Sequence, residues 1–264
     1  MTAYATPGAP CRVDTFQPDP AAAARFYGAL LGWSFDDPED PPSGPYRRAR
    51  RDGRVVAGIA QAPPGVPDAV WSTYVATDDL HAALERAVAA GASVVVGPLE
   101  GSGGRFGVLT DPTGVAFCVW DGPGAELVAV PGAWAMSALH TPDPDAGAAF
   151  YGAVFGWRAD PAPDAPLWFL RLPGYAGAPG RGVPDDVVAV MAPAGPGVPP
   201  HWAVSMRVDD VDATAALAAE LGGTIVVPPV DAAAHRSAAI ADPQGGVIAL
   251  VAPQPRPPPP PRIS

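Results

Sequence analysis

The sequence contains no lysine and no asparagine, so all 16 of its strongly basic side chains are arginines. Schiff-base chemistry and the phosphate-binding P-loop both require a lysine, and both are therefore excluded. Only two cysteines are present, Cys11 and Cys118, and no CxxC pair occurs. Two thiols in a chain of 264 residues do not make a disulfide framework, so we expect both to be reduced.

Positive charge and long apolar segments are also scarce. With 27 acidic residues the net charge is −11, which leaves no basic surface for nucleic acid. The one arginine cluster, from Arg47 to Arg54, surrounds an Asp52-Gly53 turn signal, and we interpret it as an exposed hairpin in preference to an anion site. No stretch reaches the roughly 18 apolar residues of a membrane helix, and residues 1–14 lack a signal-peptide pattern. We expect a cytoplasmic protein with neither nucleic acid nor membrane as a partner.

An internal repeat is the strongest pattern that is present. Asp19-Pro20 and the segment from Phe26 to Trp33 recur 124 residues later, at Asp143-Pro144 and from Phe150 to Trp157. Later positions recur at an offset of 131 residues: Trp71, Asp78-Asp79 and Asp111-Pro112 correspond to Trp202, Asp209-Asp210 and Asp242-Pro243. The chain is therefore predicted to be a tandem duplication whose second copy has a longer loop.

The repeat and the composition together predict the domain organisation. Apolar residues make up 48% of the chain, which is enough to form packed cores. We expect an N-terminal arm at 1–7, one domain at 8–121, a linker at 122–131 and a second domain at 132–252. The proline-rich segment 253–264 is predicted to be a disordered tail.

Each copy shows the order strand, helix and three strands, twice over. In the first copy, Asp19 is predicted to cap a helix at 21–31 that ends at Gly32. A second helix at 80–90 follows Asp78-Asp79, and Asp111-Pro112-Thr113-Gly114 is typical of a turn between two strands. The strands are predicted at 11–16, 46–51, 55–62, 72–76, 93–96, 107–110 and 115–120.

These motifs resemble those of the vicinal oxygen chelate superfamily, which includes glyoxalase I, extradiol dioxygenases, fosfomycin-resistance enzymes and bleomycin-binding proteins. The similarity covers both copies and is greatest to the tandem two-domain group found in actinobacteria. It implies an α+β fold of two tandem domains, in which paired βαβββ modules form a cup-shaped mixed sheet.

The resemblance also implies where a metal would bind, because the metal enzymes use His or Glu ligands on the first, fourth, fifth and eighth strands of each domain. The corresponding residues are Arg12, Ser72 and Cys118 in the first copy and Met136, Ala203 and Ala249 in the second. The fourth-strand region 55–63 contains no Asp, Glu or His. A divalent site needs three or four suitable ligands, so we expect no metal and no other cofactor.

Arg12 and Asp14 are two residues apart on a strand and therefore share a face. Either Asp14 is a general base or a hydrogen-bond acceptor for a ligand, which Arg12 keeps ionised, or the two residues form a structural ion pair. Cys118 is interpreted as a buried thiol, and Trp120 either lines the first cup or packs at the junction of the copies.

The first cup is predicted to hold the ligand. Its expected ligand-binding residues are Phe16, Ser72, Tyr74, Cys118 and Trp120, with His140 at the mouth of the second cup. The counterparts in the second copy have fewer groups that could orient a ligand. They are Met136, Ala138, Ala203, Ser205, Ala249 and Val251.

We therefore predict metal-independent binding of a hydrophobic aromatic small molecule, such as an antibiotic or a biosynthetic intermediate. The protein would sequester the molecule or present it to a partner biosynthetic enzyme. The alternative is a metal-independent cyclase, isomerase or hydroxylase-like enzyme of secondary metabolism, in which Asp14 acts as the base with Arg12.

Overall fold

A computed structural model describes residues 5–63, 68–163, 165–179, 181–232 and 235–253. All but one residue of the predicted proline-rich tail, and most of the predicted N-terminal arm, lie outside these ranges. Within them, no helix has both the length and the apolar character needed to cross a membrane.

The first copy contains eight strands and two helices in the predicted order. They are β1 (Pro10–Gln17), α1 (Pro20–Leu31), β2 (Ser34–Phe35), β3 (Tyr46–Arg51), β4 (Arg54–Gln61), β5 (Val70–Ala76), α2 (Leu80–Ala89), β6 (Ser93–Gly101), β7 (Gly104–Thr110) and β8 (Ala116–Asp121). The second copy repeats this order. Its elements are β9 (Trp134–Thr141), α3 (Pro144–Phe155), β10 (Arg158–Pro161), β11 (Trp168–Arg171), β12 (Val187–Pro193), β13 (His201–Arg207), α4 (Val211–Glu220), β14 (Thr224–Asp231), β15 (His235–Ala241) and β16 (Val247–Pro253).

Each copy forms its own mixed sheet of eight strands. The strand order is β2-β3-β4-β1-β5-β8-β7-β6 in the first sheet and β10-β11-β12-β9-β13-β16-β15-β14 in the second. The two βαβββ modules of a copy lie side by side, because β1 pairs antiparallel with β5 and β9 pairs antiparallel with β13. The predicted α+β architecture of two tandem domains with paired modules is confirmed.

Local signals begin and end the first helix of each copy as predicted. Asp19 Oδ1 accepts hydrogen bonds from the backbone N–H groups of Ala21 and Ala22, at 3.0 and 2.9 Å, and Pro20 occupies the first turn. The helix ends at Gly32, whose φ of 70° lies in the left-handed region that favours glycine. Asp143 and Gly156 do the same for α3.

The main hydrophobic cores lie between the copies. One core combines α1 of the first copy with α4, β13 and β15 of the second, through residues such as Phe26, Ala215, Met206 and Ile240. The other combines α2 with α3. The helix-bearing faces of the two sheets are therefore buried against each other, and the opposite faces remain for the two cups.

Hydrogen bonds between the copies account for the repeated Tyr, Trp and Asp residues. The Tyr27 hydroxyl donates to Asp242 Oδ2 at 2.7 Å and accepts from the Trp71 indole at 2.9 Å. In the reciprocal arrangement, Tyr151 donates to Asp111 Oδ2 at 3.0 Å and accepts from Trp202 at 2.9 Å. The repeated motif therefore joins the two domains.

Candidate functional site

Arg12 and Asp14 lie on the same face of β1, within the first cup. Arg12 Nη2 lies 2.7 Å from Asp14 Oδ2 and 3.0 Å from Oδ1. The same nitrogen donates to the Tyr46 hydroxyl, which lies 3.2 Å from Asp14 Oδ1. Only 3% of Asp14 is exposed, so its carboxylate is enclosed by the groups that bind it.

Aromatic rings surround the Arg12 guanidinium. Its central carbon lies 4.3 Å from the ring centroid of Trp120, 5.3 Å from that of Tyr74 and 5.7 Å from that of Tyr46. These distances are typical of cation–π contacts. Trp120 and Tyr74 are buried, and the Trp120 indole donates to the carbonyl of Pro123 at 2.9 Å. The Trp120 face that the sequence offered as a ligand surface is therefore already in contact with Arg12.

Burial and charge fix the protonation of this cluster. Burial, only partly opposed by the Arg12 charge, raises the pKa of Tyr46, so its hydroxyl stays protonated. Burial acts to lower the pKa of Arg12, but the combined influence of Asp14, Tyr46 and Tyr74 outweighs it and the pKa is raised. The site therefore holds a permanent cation and a neutral phenol at neutral pH.

A cavity of about 210 Å³ lies beside this cluster, and we call it the first-cup cavity. Three arginines line it, Arg12, Arg48 and Arg50, together with Tyr46 and Ser102. The segment 123–126, which follows β8, forms another part of the wall. This segment is held in place by backbone hydrogen bonds from Ala125 to Cys11 and from Glu126 to Val55, both at 2.8 Å.

The rim of the cavity joins strands from opposite ends of the sheet. Ser102, in the turn between β6 and β7, accepts from Arg48 Nη2 on β3 at 2.7 Å and donates to Glu39 at 2.6 Å. Arg48 also pairs with Glu39 at 3.1 Å. Because β3 and β6 lie near the two ends of the sheet, this rim contact draws the sheet around the cavity.

The residues that the sequence predicted to bind the ligand lie outside the lining of this cavity. Phe16 and Ser72 are half-buried on β1 and β5, and Ser72 lies opposite Asp14 in the strand pairing. Cys118 is buried beneath the cup with Cys11, and burial raises the pKa of both thiols to about 12. The structure thus brings five of the predicted residues together: Arg12, Asp14, Tyr74, Cys118 and Trp120. Of these, Arg12 lines the cavity, and the other four lie beneath it.

His140 lies in the second cup. Its ring stacks on that of His201 from the neighbouring strand, with centroids 4.9 Å apart and planes within 8°. Burial, and secondly the His201 charge, lower the pKa of His140. The other second-copy counterparts of the predicted first-cup residues carry small or apolar side chains.

Sequence reasoning missed Tyr46, Arg48, Arg50 and Ser102 as cavity residues. Tyr46, Arg48 and Arg50 alternate along β3, and this period places them on one face. That signal was present, but the arginines were interpreted as an exposed hairpin. Arg48 and Arg50 instead keep only 32% and 27% of their side chains exposed, because they form the cavity wall.

The paired βαβββ modules, repeated in two eight-stranded sheets, define the protein as a member of the vicinal oxygen chelate class. The family model of the glyoxalase-like domain matches the sequence at residues 12–120 and again at residues 136–251. The chain belongs to this glyoxalase-like family.

Relatives and solved structures resemble the chain over nearly its whole length. The protein CFP32 of Mycobacterium tuberculosis is 38% identical, over 94% of this chain and 96% of the relative. The anthracycline biosynthesis protein DnrV of Streptomyces peucetius is 36% identical, over 95% of both chains. The Mn(II)-bound glyoxalase of Novosphingobium aromaticivorans has a TM-score of 0.64 at 19% identity, covering 92% of this chain and 81% of its own. The 2,3-dioxygenase LapB of Pseudomonas sp. KL28 has a TM-score of 0.61 at 13% identity, covering 97% and 96%. The last two show likeness of fold.

The residues of the cups do not fit the divalent metal of such enzymes. Gly58 on β4 lies opposite Asp14, and a Cβ atom at this position would overlap the Tyr46 hydroxyl. A larger side chain that could coordinate a metal therefore has no room at position 58. Across the described residues, no group of three or more His, Cys, Asp or Glu side chains is arranged to hold a metal ion.

Proposed function

We propose that the protein binds a small molecule in the first-cup cavity without a metal. One observation carries this proposal: the cavity wall presents the guanidinium groups of Arg12 and Arg48 beside the hydroxyl groups of Tyr46 and Ser102, whereas the buried acid Asp14 lies outside the lining. A few placed polar groups on a concave wall are the usual features of a ligand site. The bound molecule would be sequestered or presented to a biosynthetic enzyme.

The position of Asp14 favours binding over base catalysis. A general base must come within hydrogen-bond reach of the proton it removes. Both Asp14 oxygens already accept hydrogen bonds from Arg12, and only 3% of the residue is exposed. A substrate in the cavity meets Arg12 before it can meet the carboxylate. The enzymatic alternative requires Arg12 to move away.

The size of the cavity limits the ligand. Its volume of about 210 Å³ is below the range of roughly 300–1,000 Å³ that is typical for drug-sized ligands. It is suited to a compact molecule or to one end of a larger one. Similarity to an anthracycline biosynthesis protein favours an aromatic compound of secondary metabolism.

Titration with 2-naphthol, a neutral two-ring aromatic, tests the proposal. We expect saturable binding by calorimetry that Val55→Trp abolishes, because the new ring fills the cavity that Val55 lines. The matched control is Val70→Trp at an exposed strand position, which should bind as the parent does. Binding should be unchanged after dialysis against a chelator and after addition of Mn(II) or Zn(II). Loss of binding on chelation, restored by one of these metals, would contradict the proposal.

Asp14→Asn separates binding from base catalysis once a turnover assay is found. A binding protein should keep its affinity within about 1–2 kcal/mol. An enzyme that uses Asp14 as its base should lose about 10²–10⁴-fold in turnover while it still binds. The second result would establish the enzymatic alternative.

A further inference from the structure

We infer that the first-cup cavity is a carboxylate site, and that its ligand is a small planar acid whose carboxylate faces Arg12 and Arg48. This inference rests on the proposed binding function and specifies the ligand class. It starts from the charges on the wall. Arg12, Arg48 and Arg50 line the cavity, whereas the one acid among the lining residues is Glu126. Three arginines in one cavity lining are notable in a protein whose net charge is −11.

Two of these arginines keep donors available for a ligand. The hydrogen bonds of Arg12 leave from Nη2, and those of Arg48 leave from Nε and Nη2. Among the described residues, Nη1 of Arg12 and Nη1 of Arg48 have no hydrogen-bond partner. A guanidinium carries five N–H donors in a planar fork, and these match the two oxygens of a carboxylate.

The acids that accompany the arginines hold them in place without closing the wall. Asp14 lies beneath Arg12, and Glu39 and Asp36 contact Arg48 and Arg50 at distances of 3.1 and 2.7 Å. None of these three acids is among the lining residues, whereas Glu126, which lies 3.9 Å from Arg50 Nη1, is one of them. The guanidinium groups are therefore oriented before a ligand arrives, which reduces the entropy lost on binding.

The rest of the wall favours a flat and partly apolar molecule. Val55, Ala57 and Pro123 line the cavity with apolar atoms, and Gly103 and Gly124 add wall without a side chain. The Tyr46 hydroxyl, which stays protonated, adds a neutral polar group beside Arg12. An aromatic or unsaturated carboxylic acid matches this division between a cationic part and an apolar part.

Calorimetric titration with 2-naphthoate, 2-naphthamide and inorganic phosphate tests the inference. The two naphthalene compounds share shape and size and differ in charge. We expect 2-naphthoate to bind with a Kd on the order of 1 mM or lower, the range that small ligands of this size reach. The amide and phosphate should each bind at least about tenfold more weakly than 2-naphthoate. The amide lacks the negative charge, and phosphate lacks the apolar rings.

Variants on the two faces of β3 provide the matched comparison. Arg48→Gln removes a cation from the cavity wall and should weaken 2-naphthoate at least about tenfold, with little effect on the amide. Arg47→Gln removes the same charge from the adjacent position, which is not among the lining residues, and should change neither affinity. Thermal unfolding of both variants confirms that they remain folded.

The outcomes test the carboxylate site separately from the proposed binding function. Equal affinities for 2-naphthoate and 2-naphthamide, both lost in Val55→Trp, would overturn the carboxylate site and leave the binding function intact. Phosphate that binds as tightly as 2-naphthoate and depends on Arg48 would overturn the carboxylic-acid class. Absence of binding by both naphthalene compounds and by 2-naphthol would overturn both proposals.

Discussion

Arg12 and Asp14 form an ion pair with only 11% and 4% of their side chains exposed, the lowest values among the ion pairs of the described residues. Such a pair contributes little net stability over an apolar pair of similar volume. Replacing only one of the two residues by an apolar one lowers the free energy of unfolding, because the remaining charge stays buried without a partner. The pair fixes the position of the Arg12 guanidinium, which donates to both carboxylate oxygens of Asp14.

Arg12→Met should lower the free energy of unfolding by about 3–5 kcal/mol, since it leaves the Asp14 carboxylate without its cation. The double variant Arg12→Met with Asp14→Leu should recover most of this loss. Urea denaturation measures both. Arg105→Met serves as the control, because its ion pair with Asp121 is at the surface, and its denaturation midpoint should stay close to that of the parent. A double variant no more stable than Arg12→Met would show that the loss has another cause.

The two thiols should be unreactive in the folded protein. Burial raises the pKa of Cys11 and Cys118 to about 12, so the reactive thiolate is scarce at pH 8 and reagent has little access. An aromatic disulfide reagent at pH 8 should modify neither thiol at once in the native state and both after unfolding in urea. Rapid native labelling of either cysteine would show that the first cup opens.

At the scale of elements, the turn between β6 and β7 is fixed by its contact with β3. Ser102 is the link, because its hydroxyl accepts from Arg48 and donates to Glu39. Without it, the two ends of the sheet have one fewer hydrogen-bonded connection across the cavity. The turn also carries Gly103, which lines the cavity.

Ser102→Ala should increase the rate of amide hydrogen exchange in residues 101–104, because the turn loses its connection to β3. Global stability should fall by no more than about 1 kcal/mol, since the contact is partly exposed to solvent. Ser93→Ala, at an exposed position on β6, is the matched control and should leave this exchange unchanged. Exchange measured by mass spectrometry decides between these expectations, and equal protection in all three proteins would contradict the role of the rim contact.

At the scale of the whole molecule, each domain places a tyrosine against an aspartate of the other. The two arrangements differ in one respect. Asp242 Oδ2 accepts from Gln17 at 2.7 Å as well as from Tyr27, whereas Asp111 Oδ2 accepts from Tyr151 alone among the described residues. The loss of one hydroxyl should therefore have unequal effects on the two sides.

Tyr151→Phe should destabilise the protein by about 2–3 kcal/mol, because a buried carboxylate oxygen and the Trp202 indole both lose a partner. Tyr27→Phe should cost less, on the order of 1–2 kcal/mol, since Gln17 still donates to Asp242. Tyr175→Phe, at a half-buried ring outside these contacts, should be nearly neutral. The free energies come from urea denaturation, and a larger effect of Tyr27→Phe would refute the assigned difference.

Local signals allowed much of the fold to be predicted. The helix after Asp19 was correct because its cap and its end at Gly32 depend on neighbouring residues. Strand β6 was predicted to end at Val96 and instead continues to Gly101, through Gly97-Pro98. Glycine and proline are typical of loops, but here they form an irregularity within the strand, and pairing with β7 resumes at Leu99. The boundary was decided by the partner strand.

The sequence by itself determined the duplication, the order of the elements and the shared face of Arg12 and Asp14, because each depends on local spacing. Only the tertiary structure decided which residues meet. Tyr27 and Asp242 are 215 residues apart, and Arg48 and Ser102 are 54 apart. Periodicity shows which face of an element is buried but carries no information on its partner, which is set by how the two sheets pack and curve. For the same reason Trp120, which could have lined the cavity, lies beneath Arg12.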